Sequence, residues 1–351
     1  MATPIEGRWS TDQAHAWAKR SGWLVGCNFT PSTAGNPLEL WQRETFDPET
    51  IDRELAWAGG LGMNVIRLYL HDLMFEAEGK AFLDRVERIV AMAHGHGIAT
   101  MPVLFDGVWH PEPELGPQPE PTPRLHNSVW VQSPGRPTMD DPTRWHRLEP
   151  YVFETLTRFA DDDRIVLWDL FNEPDQIDRD TILGGSRKAK EASSAALVAE
   201  VFRWARSVAP SQPLSVGVWE YDDEHRIVPG PLNEVALANS DIITFHCYEP
   251  AGPLNALIDA LESRGRPLVC TEWLARTAGS TVDLLPVFRG RGVGAINWGL
   301  VDGRTQTRFP WTSWMEPVTD DEPWFHELFH QDGRPYDAAE TELFRRTTAT
   351  P

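Results

Sequence analysis

The sequence predicts an α/β protein folded as one (β/α)8 barrel. Three observations predict it. Eight short runs are nearly continuous in apolar character, as strands covered on both faces are. Longer amphipathic runs at helical spacing lie between them, and strands that alternate with helices build a parallel sheet. Eight is also the number of strands that closes such a sheet on itself. Dividing 351 residues by about 150 per domain would suggest two domains, but one closed barrel commonly exceeds 200 residues. The chain therefore reads as a single domain over residues 1–351, with the barrel at roughly 20–345.

The first strand is GWLVGCNF (22–29). The helix after it opens on Asp47-Pro48-Glu49, an N-cap with Pro in the first turn, and Ile51, Leu55 and Ala58 recur at i, i+4 and i+7. Gly59, Gly60 and Gly62 stop it. NVIRLYL (64–70) and IATMPVLF (98–105) are the second and third strands. Leu148, Val152, Leu156 and Phe159 mark the helix before the fourth strand, IVLWDLF (165–171). Leu197, Val201, Trp204 and Val208 mark the helix before the fifth, PLSVGVW (213–219). The connection over 220–240 has only a weak helical pattern. DIITFHCY (241–248), PLVCTEW (267–273) and VGAINWGL (293–300) complete the set. Two segments are longer than a barrel needs: 106–145 after the third strand, rich in Pro, Trp and His, and 301–335 after the eighth, with Trp311, Trp314 and Trp324. Loops that follow strands lie on the C-terminal face, where barrels build their sites, so both are expected to wall a pocket.

Composition narrows the function. Apolar residues make up 41% and charged residues 24%, as in ordinary globular chains. The balance of 32 Lys and Arg against 52 Asp and Glu gives a net charge of −20. Such a field repels phosphate backbones and anionic lipid surfaces, so neither nucleic acid nor membrane is expected as a partner. No apolar run approaches the roughly 20 residues that span a bilayer. The first residues lack a basic stretch followed by an apolar one, so no signal peptide is read there. Cys27, Cys247 and Cys270 are odd in number, far apart and set in apolar runs, which suggests reduced, buried thiols. These points together predict a cytoplasmic protein. The sequence holds 16 Trp. Flat indole faces suit the apolar face of a sugar ring, although most of the 16 are expected in the core.

Two carboxylates carry the chemistry. Glu173 in WDLFNEPD ends the fourth predicted strand and Glu272 in VCTEW ends the seventh. Those strands lie across the barrel from each other, so the two side chains face one another over its mouth. Opposed carboxylates are what cleavage of a glycosidic bond requires, one to protonate the leaving oxygen and one to attack the anomeric carbon. A neighbouring negative charge and partial burial raise the proton donor's affinity for its proton. Either Glu taken alone would more often be a salt-bridged strand terminus; Asn-Glu-Pro paired with Thr-Glu-Trp at these positions outweighs that.

On these motifs the chain resembles the clan A glycoside hydrolases, most closely glycoside hydrolase family 5, over roughly residues 20–345. The resemblance implies a retaining enzyme with Glu173 as acid/base and Glu272 as nucleophile. It also implies roles for other positions. Arg67 in NVIRLYL matches the Arg that supports the nucleophile, and Asn172 matches the Asn that bonds the sugar's 2-hydroxyl. His246 and Tyr248 in FHCYEP match a His and a Tyr near the nucleophile, and Trp298 in AINWGL matches the Trp floor under the reacting sugar. There is a departure. The family often has His at the end of strand three; here VLFDGVWH places Asp106 there and His110 four residues later, and which of them meets the sugar is open. Asp106, Trp109, His126 and Trp219 complete the candidate substrate contacts, with Glu220 and Glu249 as further acids near the mouth.

Double displacement through a covalent glycosyl-enzyme needs no cofactor, and no residue set has zinc spacing, so no metal is expected. His94 and His96 read as a helix cap, and Asp161-Asp162-Asp163 as a solvated turn. The expected activity is hydrolysis of soluble β-linked oligosaccharides or glycosides, from chain ends if the loop after strand three closes one end of the cleft. A transglycosylase on the same site and a non-catalytic carbohydrate-binding barrel are the alternatives; the latter would have lost one of the carboxylates or Arg67. The sugar, the linkage and the oligomeric state are not legible in the sequence.

Overall fold

The computed structural model describes residues 3–176 and 187–349. Eight parallel strands form one sheet: β1 (Val25–Asn28), β2 (Val65–Tyr69), β3 (Ala99–Val103), β4 (Trp168–Asp169), β5 (Leu214–Ser215), β6 (Ile243–His246), β7 (Leu268–Glu272) and β8 (Gly294–Trp298). Hydrogen bonding follows the order β5-β4-β3-β2-β1-β8-β7-β6. A bridge between Val218, just beyond β5, and Phe245 of β6 brings the two ends together. The (β/α)8 barrel is thus the fold. Its strands are shorter than the apolar runs that announced them, most of all β4 and β5. Around these two the pairing continues only as isolated bridges, Thr100 with Ile165 and Asp106 with Asn172, while the flanking residues stay apolar because helices and loops still cover them.

The helices form where the apolar spacing placed them. The helix Pro48–Gly60 starts as expected, with the Asp47 side chain accepting from the Thr50 amide at 3.1 Å, and it ends just before Gly62 at φ +76. Helices Leu148–Phe159 and Arg187–Val208 lie before β4 and β5. The weakly patterned fifth connection does hold a helix, Pro231–Asn239, with Pro in its first turn. Helix Lys80–Gly95 ends at His94 and His96, and the His96 ring lies 2.9 Å from Asp52. The three cysteines are free and buried.

Alternation along the strands sorts residues into two cores. Ile66 and Leu68 point outward into the large core under the helices. Val65, Met101, Leu167, Ile242, Val269 and Ile296 point inward and form an apolar plug at the N-terminal end of the barrel. Ala14 and Trp17 of the helix Thr11–Ser21 close this end, with the Trp17 indole donating to Val166 O at 3.1 Å. Two residues further along, four of these six inward positions turn polar and are buried, Arg67 on β2, Asp169 on β4, Thr244 on β6 and Thr271 on β7, while β3 has Val103 and β8 has Trp298. The barrel is therefore oily at one end and ionic toward the other.

The two long loops meet above β1 and β2. Asn127 N donates to Thr305 O at 2.9 Å, Trp314 Nε1 to His126 O at 2.8 Å and Gln306 Nε2 to Thr122 O at 2.7 Å. Arg124 pairs with Asp320 at 2.6 Å, and Trp109 stacks on Trp314 at 4.9 Å between centroids. The wall expected from these two segments is one structure made by both.

Candidate active site

Glu272 ends β7 and is held from both sides. Its Oε1 accepts from Arg67 Nη1 at 2.7 Å and from the Tyr69 hydroxyl at 3.1 Å; its Oε2 accepts from the Tyr248 hydroxyl at 2.7 Å. The same Arg67 donates to Asp169 Oδ2 through Nε and Nη2 at 3.0 and 2.7 Å, to Asn172 Oδ1 at 2.6 Å and to Asn28 Oδ1 at 2.8 Å. A guanidinium fully inside a barrel is costly unless its donors and its charge are matched. Here two carboxylates and two amides match them. Burial works against the charge, yet Tyr69, Asp169 and Glu272 together hold its proton more firmly than usual. Burial, reinforced by Glu272 and Glu173, likewise keeps the Tyr248 phenol protonated well above its ordinary range, so it remains a donor to the carboxylate.

Glu173 sits just beyond β4 at φ +37, a left-handed backbone that a Glu rarely adopts. The turn is fixed by strand three. Asn172 N donates to Phe105 O, Gly107 N donates to Asn172 O, and a Cβ on Gly107 would lie 2.3 Å from Glu173 O. Only glycine at 107 lets the two segments approach so closely. The carboxyl thus presented lies 2.7 Å from His246 Nδ1 through Oε1 and accepts from Gln176 Nε2 at 2.8 Å through Oε2. A register shift in β6 between Phe245 and His246 sets His246 opposite Glu272, and its ring lies 3.6 Å from Glu272 Oε2. One donor atom from each of Glu173, His246 and Glu272 lies within 4.8 Å of the others. These three are the donor group in the site with metal-like spacing, but Glu272 already carries the Arg67 guanidinium, so a cation there would compete for that carboxylate.

The two carboxylates open into a cavity of about 360 Å³. The structure brings Asn172, Glu173, His246, Tyr248, Glu272, Trp298, Trp109, His126 and Trp219 together on its wall. Arg67 lies beneath it. Trp219 donates to Asp175 Oδ1 at 3.2 Å, and His126 Nδ1 lies 2.8 Å from Phe309 O, with burial pulling the ring's pKa down to about 4. Asp106 is not on the wall. It is 2% exposed and lies behind Asn172 and Trp130, accepting from Asn172 Nδ2 at 2.9 Å and Trp130 Nε1 at 2.6 Å. His110 is also off the wall, its ring 2.7 Å from Ser128 O.

Several site residues were not anticipated. Tyr69 shares the face of Arg67 by simple alternation, so NVIRLYL contained the signal for it. Gln176, Tyr221 and His326 also line the cavity, beside Trp311 of the segment expected to wall it. Trp311 packs edge-on against Tyr248 at 4.9 Å, a contact between distant loops that no local pattern announces.

Comparison with known proteins agrees with this fold. Residues 27–314 match the family model Cellulase (glycosyl hydrolase family 5). No curated protein sequence matches the chain. Among solved structures, the exo-beta-1,4-mannosidase Op5Man5 from Opitutaceae bacterium strain TAV5 superposes with a TM-score of 0.59 at 19% identity. That match covers 94% of this chain but only 61% of the mannosidase, so the chain spans less than two thirds of that protein's length. A GH5_18 protein from Bifidobacterium longum, solved in complex with Manβ1-4GlcNAc, gives 0.62 at 15% identity, covering 93% of this chain and 78% of that one. The endo-beta-1,4-mannanase from Thermotoga petrophila gives 0.58 at 14%, covering 93% and 76%. At these identities the structural likeness is one of fold.

Proposed function

The chain belongs to glycosyl hydrolase family 5 and is a glycosidase, and we propose that it is a retaining, exo-acting one that removes single sugars from soluble β-linked oligosaccharides or glycosides. The observation that carries retention is the approach of the Glu173 and Glu272 carboxyl oxygens to within 4.8 Å. Carboxyls about 5–5.5 Å apart act as nucleophile and acid/base, whereas inversion needs about 6.5–9.5 Å to seat a water. Glu272 attacks the anomeric carbon while Glu173 gives its proton to the leaving oxygen. A glycosyl-enzyme forms on Glu272. Glu173, now a base, takes a proton from water as that water attacks, and the sugar leaves with its configuration kept. Arg67, Tyr69 and Tyr248 hold the nucleophile in place, and the charge it loses on attack is the one that Arg67 opposes.

The exo reading rests on the wall. The leaving group lies on the Glu173 side, toward Gln176, Trp219 and Tyr221. On the other side Trp130 packs at 5.3 Å on Tyr69 and at 5.9 Å on Trp298. The gap left between these three rings and Asn28 is about 10 Å³, too small for a second sugar. The mannose-directed names of the structural relatives make a β-mannosyl end the first substrate to try.

The test is a panel of 4-nitrophenyl β-glycosides (mannoside, glucoside, xyloside, galactoside) with wild type and Glu272→Ala, followed by manno-oligosaccharides. One glycoside is expected to turn over, with loss of about 10³-fold or more in the variant. The β-anomer is expected first by NMR, and oligosaccharides should shorten by one residue at a time. The α-anomer first would overturn retention, and a spread of internal fragments from the outset would overturn exo action. Wild-type turnover in Glu272→Ala would remove the nucleophile assignment.

A further inference from the structure

We propose that Asp106 is a positioning residue that locks the Asn172 amide with its nitrogen presented to the sugar's 2-hydroxyl; the inference rests on the glycosidase reading above. An Asn side chain carries a donor and an acceptor of nearly equal shape, so its use as a donor depends on what holds it. Asn172 is held at both ends. Its oxygen takes Arg67 Nη2 at 2.6 Å and its nitrogen gives one hydrogen to Asp106 Oδ1 at 2.9 Å. Asn172 lines the cavity, so the second N–H is the group left for substrate.

Asp106 is built for this and for nothing nearer the sugar. It lies off the cavity wall. Its backbone is clamped to Ser133 by a pair of hydrogen bonds, Asp106 N to Ser133 O at 2.5 Å and Ser133 N to Asp106 O at 2.9 Å. Its side chain accepts from three donors at once: Asn172 Nδ2, Trp130 Nε1 at 2.6 Å and Val108 N at 3.2 Å. Burying a carboxylate is costly. Burial pushes this one up to about 7, against the hydrogen bonds of Asn172 and Trp130 and with Glu272 and Glu173 adding to the rise. An Asn at 106 would be easier to bury, but it would turn an N–H toward one of the three donors. The carboxylate is the side chain of this size that satisfies all of them. It also joins two parts of the site, because Trp130 is the ring that closes the cavity behind Trp298.

Hydrogen bonds to the 2-hydroxyl strengthen in the oxocarbenium-like transition state, so loosening Asn172 should lower kcat more than it raises KM. The experiment compares wild type with Asp106→Asn on two substrates, the 4-nitrophenyl β-glycoside that wild type cleaves fastest and its 2-deoxy counterpart. The variant should lose about tenfold or more in kcat on the parent and stay within about threefold of wild type on the 2-deoxy compound. Equal losses on both substrates, or none on either, overturn the proposal. The crystal structure of the variant reads the same point without turnover: Asn172 displaced from its present position supports the proposal, and Asn172 unmoved overturns it. If wild type cleaves no glycoside, the glycosidase reading has failed, and the crystal structure still decides for Asp106. If Asp106→Asn does not fold, Trp130→Phe removes one of the three donors and keeps a ring against Tyr69. The ratio of parent to 2-deoxy activity should then fall severalfold, and an unchanged ratio overturns the proposal.

Discussion

Arg67 shows how much one side chain is made to do inside this barrel. Its five donors serve Asp169, Asn172, Asn28, Tyr69 and Glu272, so it fixes the Glu272 carboxylate, the Asn172 amide beside Glu173 and the buried aspartate together. Arg67→Met would leave Asp169 and Glu272 buried without a cation, and breaking such a pair costs about 3–5 kcal/mol. Urea denaturation should show a loss of that size, together with near-complete loss of glycosidase activity. Arg67→Lys should recover part of the stability but little of the activity, because one ammonium on a flexible stem cannot serve both carboxylates and both amides. A Met variant as stable as wild type would remove the proposed role. At this scale the sequence was most informative where a charged residue interrupts an apolar strand. Arg67, Glu173 and Glu272 stand out for that reason. Tyr69 is readable by alternation from Arg67. Asp106 was readable as present but not in its role, because only the packed structure puts it behind Asn172 rather than on the cavity wall.

The elements that shape the pocket are loops, and their physics differs from that of the strands. The segments after β3 and β8 hold each other by the Trp109–Trp314 stack, the Arg124–Asp320 pair and a few backbone bonds. An aromatic pair of this kind contributes about 0.5–1.5 kcal/mol beyond its buried area, and an exposed ion pair less. The wall is therefore stable only as a sum of small terms. Trp314→Ala removes the stack and the Trp314–His126 bond at once. It should leave the melting temperature within a few degrees of wild type, raise KM for small glycosides severalfold, and let longer oligosaccharides be cut away from their ends. Unchanged KM and an unchanged product ladder would show that the stack does not maintain the wall. The barrel strands were legible because residues covered on both faces leave continuous apolar runs, and the existence of two long loops was legible from Pro and Trp content. Their mutual contact was not, since it joins residues nearly 200 positions apart whose pairing depends on where the barrel places each loop. The floor helix Thr11–Ser21 is hard to read from the sequence because just two of its residues, Ala14 and Trp17, are buried, which leaves a weak apolar stripe.

The whole molecule has an unusual relation to pH. At −20 the chain repels itself, and deprotonation adds to that repulsion. Two buried carboxyls sharpen the effect. Burial pushes Glu327 up to about 8, with Asp302 adding to the rise against the Thr307 hydrogen bond. Burial pushes Glu54 up to about 7, against its hydrogen bonds from Ser32. A carboxyl whose affinity for its proton is higher folded than unfolded binds more protons in the native state throughout the window between the two values. Stability then falls as pH rises, by up to about 1.4 kcal/mol per pH unit for each such group. The contribution is complete below the unfolded value near 4.5 and is lost as pH climbs through about 8 for Glu327. Carboxyls held low by arginine partners, such as the half-buried Asp162 beside Arg164 and the exposed Asp320 beside Arg124, act in the opposite sense, but their window lies below pH 4. The melting temperature should therefore decline between pH 5.5 and 8.5, where many proteins are level. Glu327→Gln separates the buried group from the net charge. It changes the overall charge by a single unit yet removes the carboxyl pushed higher of the two, so its melting temperature should fall less steeply over that range and overtake wild type at the alkaline end. A decline of equal slope in the variant would assign the effect to general self-repulsion, and a melting temperature that rises from pH 5.5 to 8.5 would mean that these carboxyls are not held protonated by the fold.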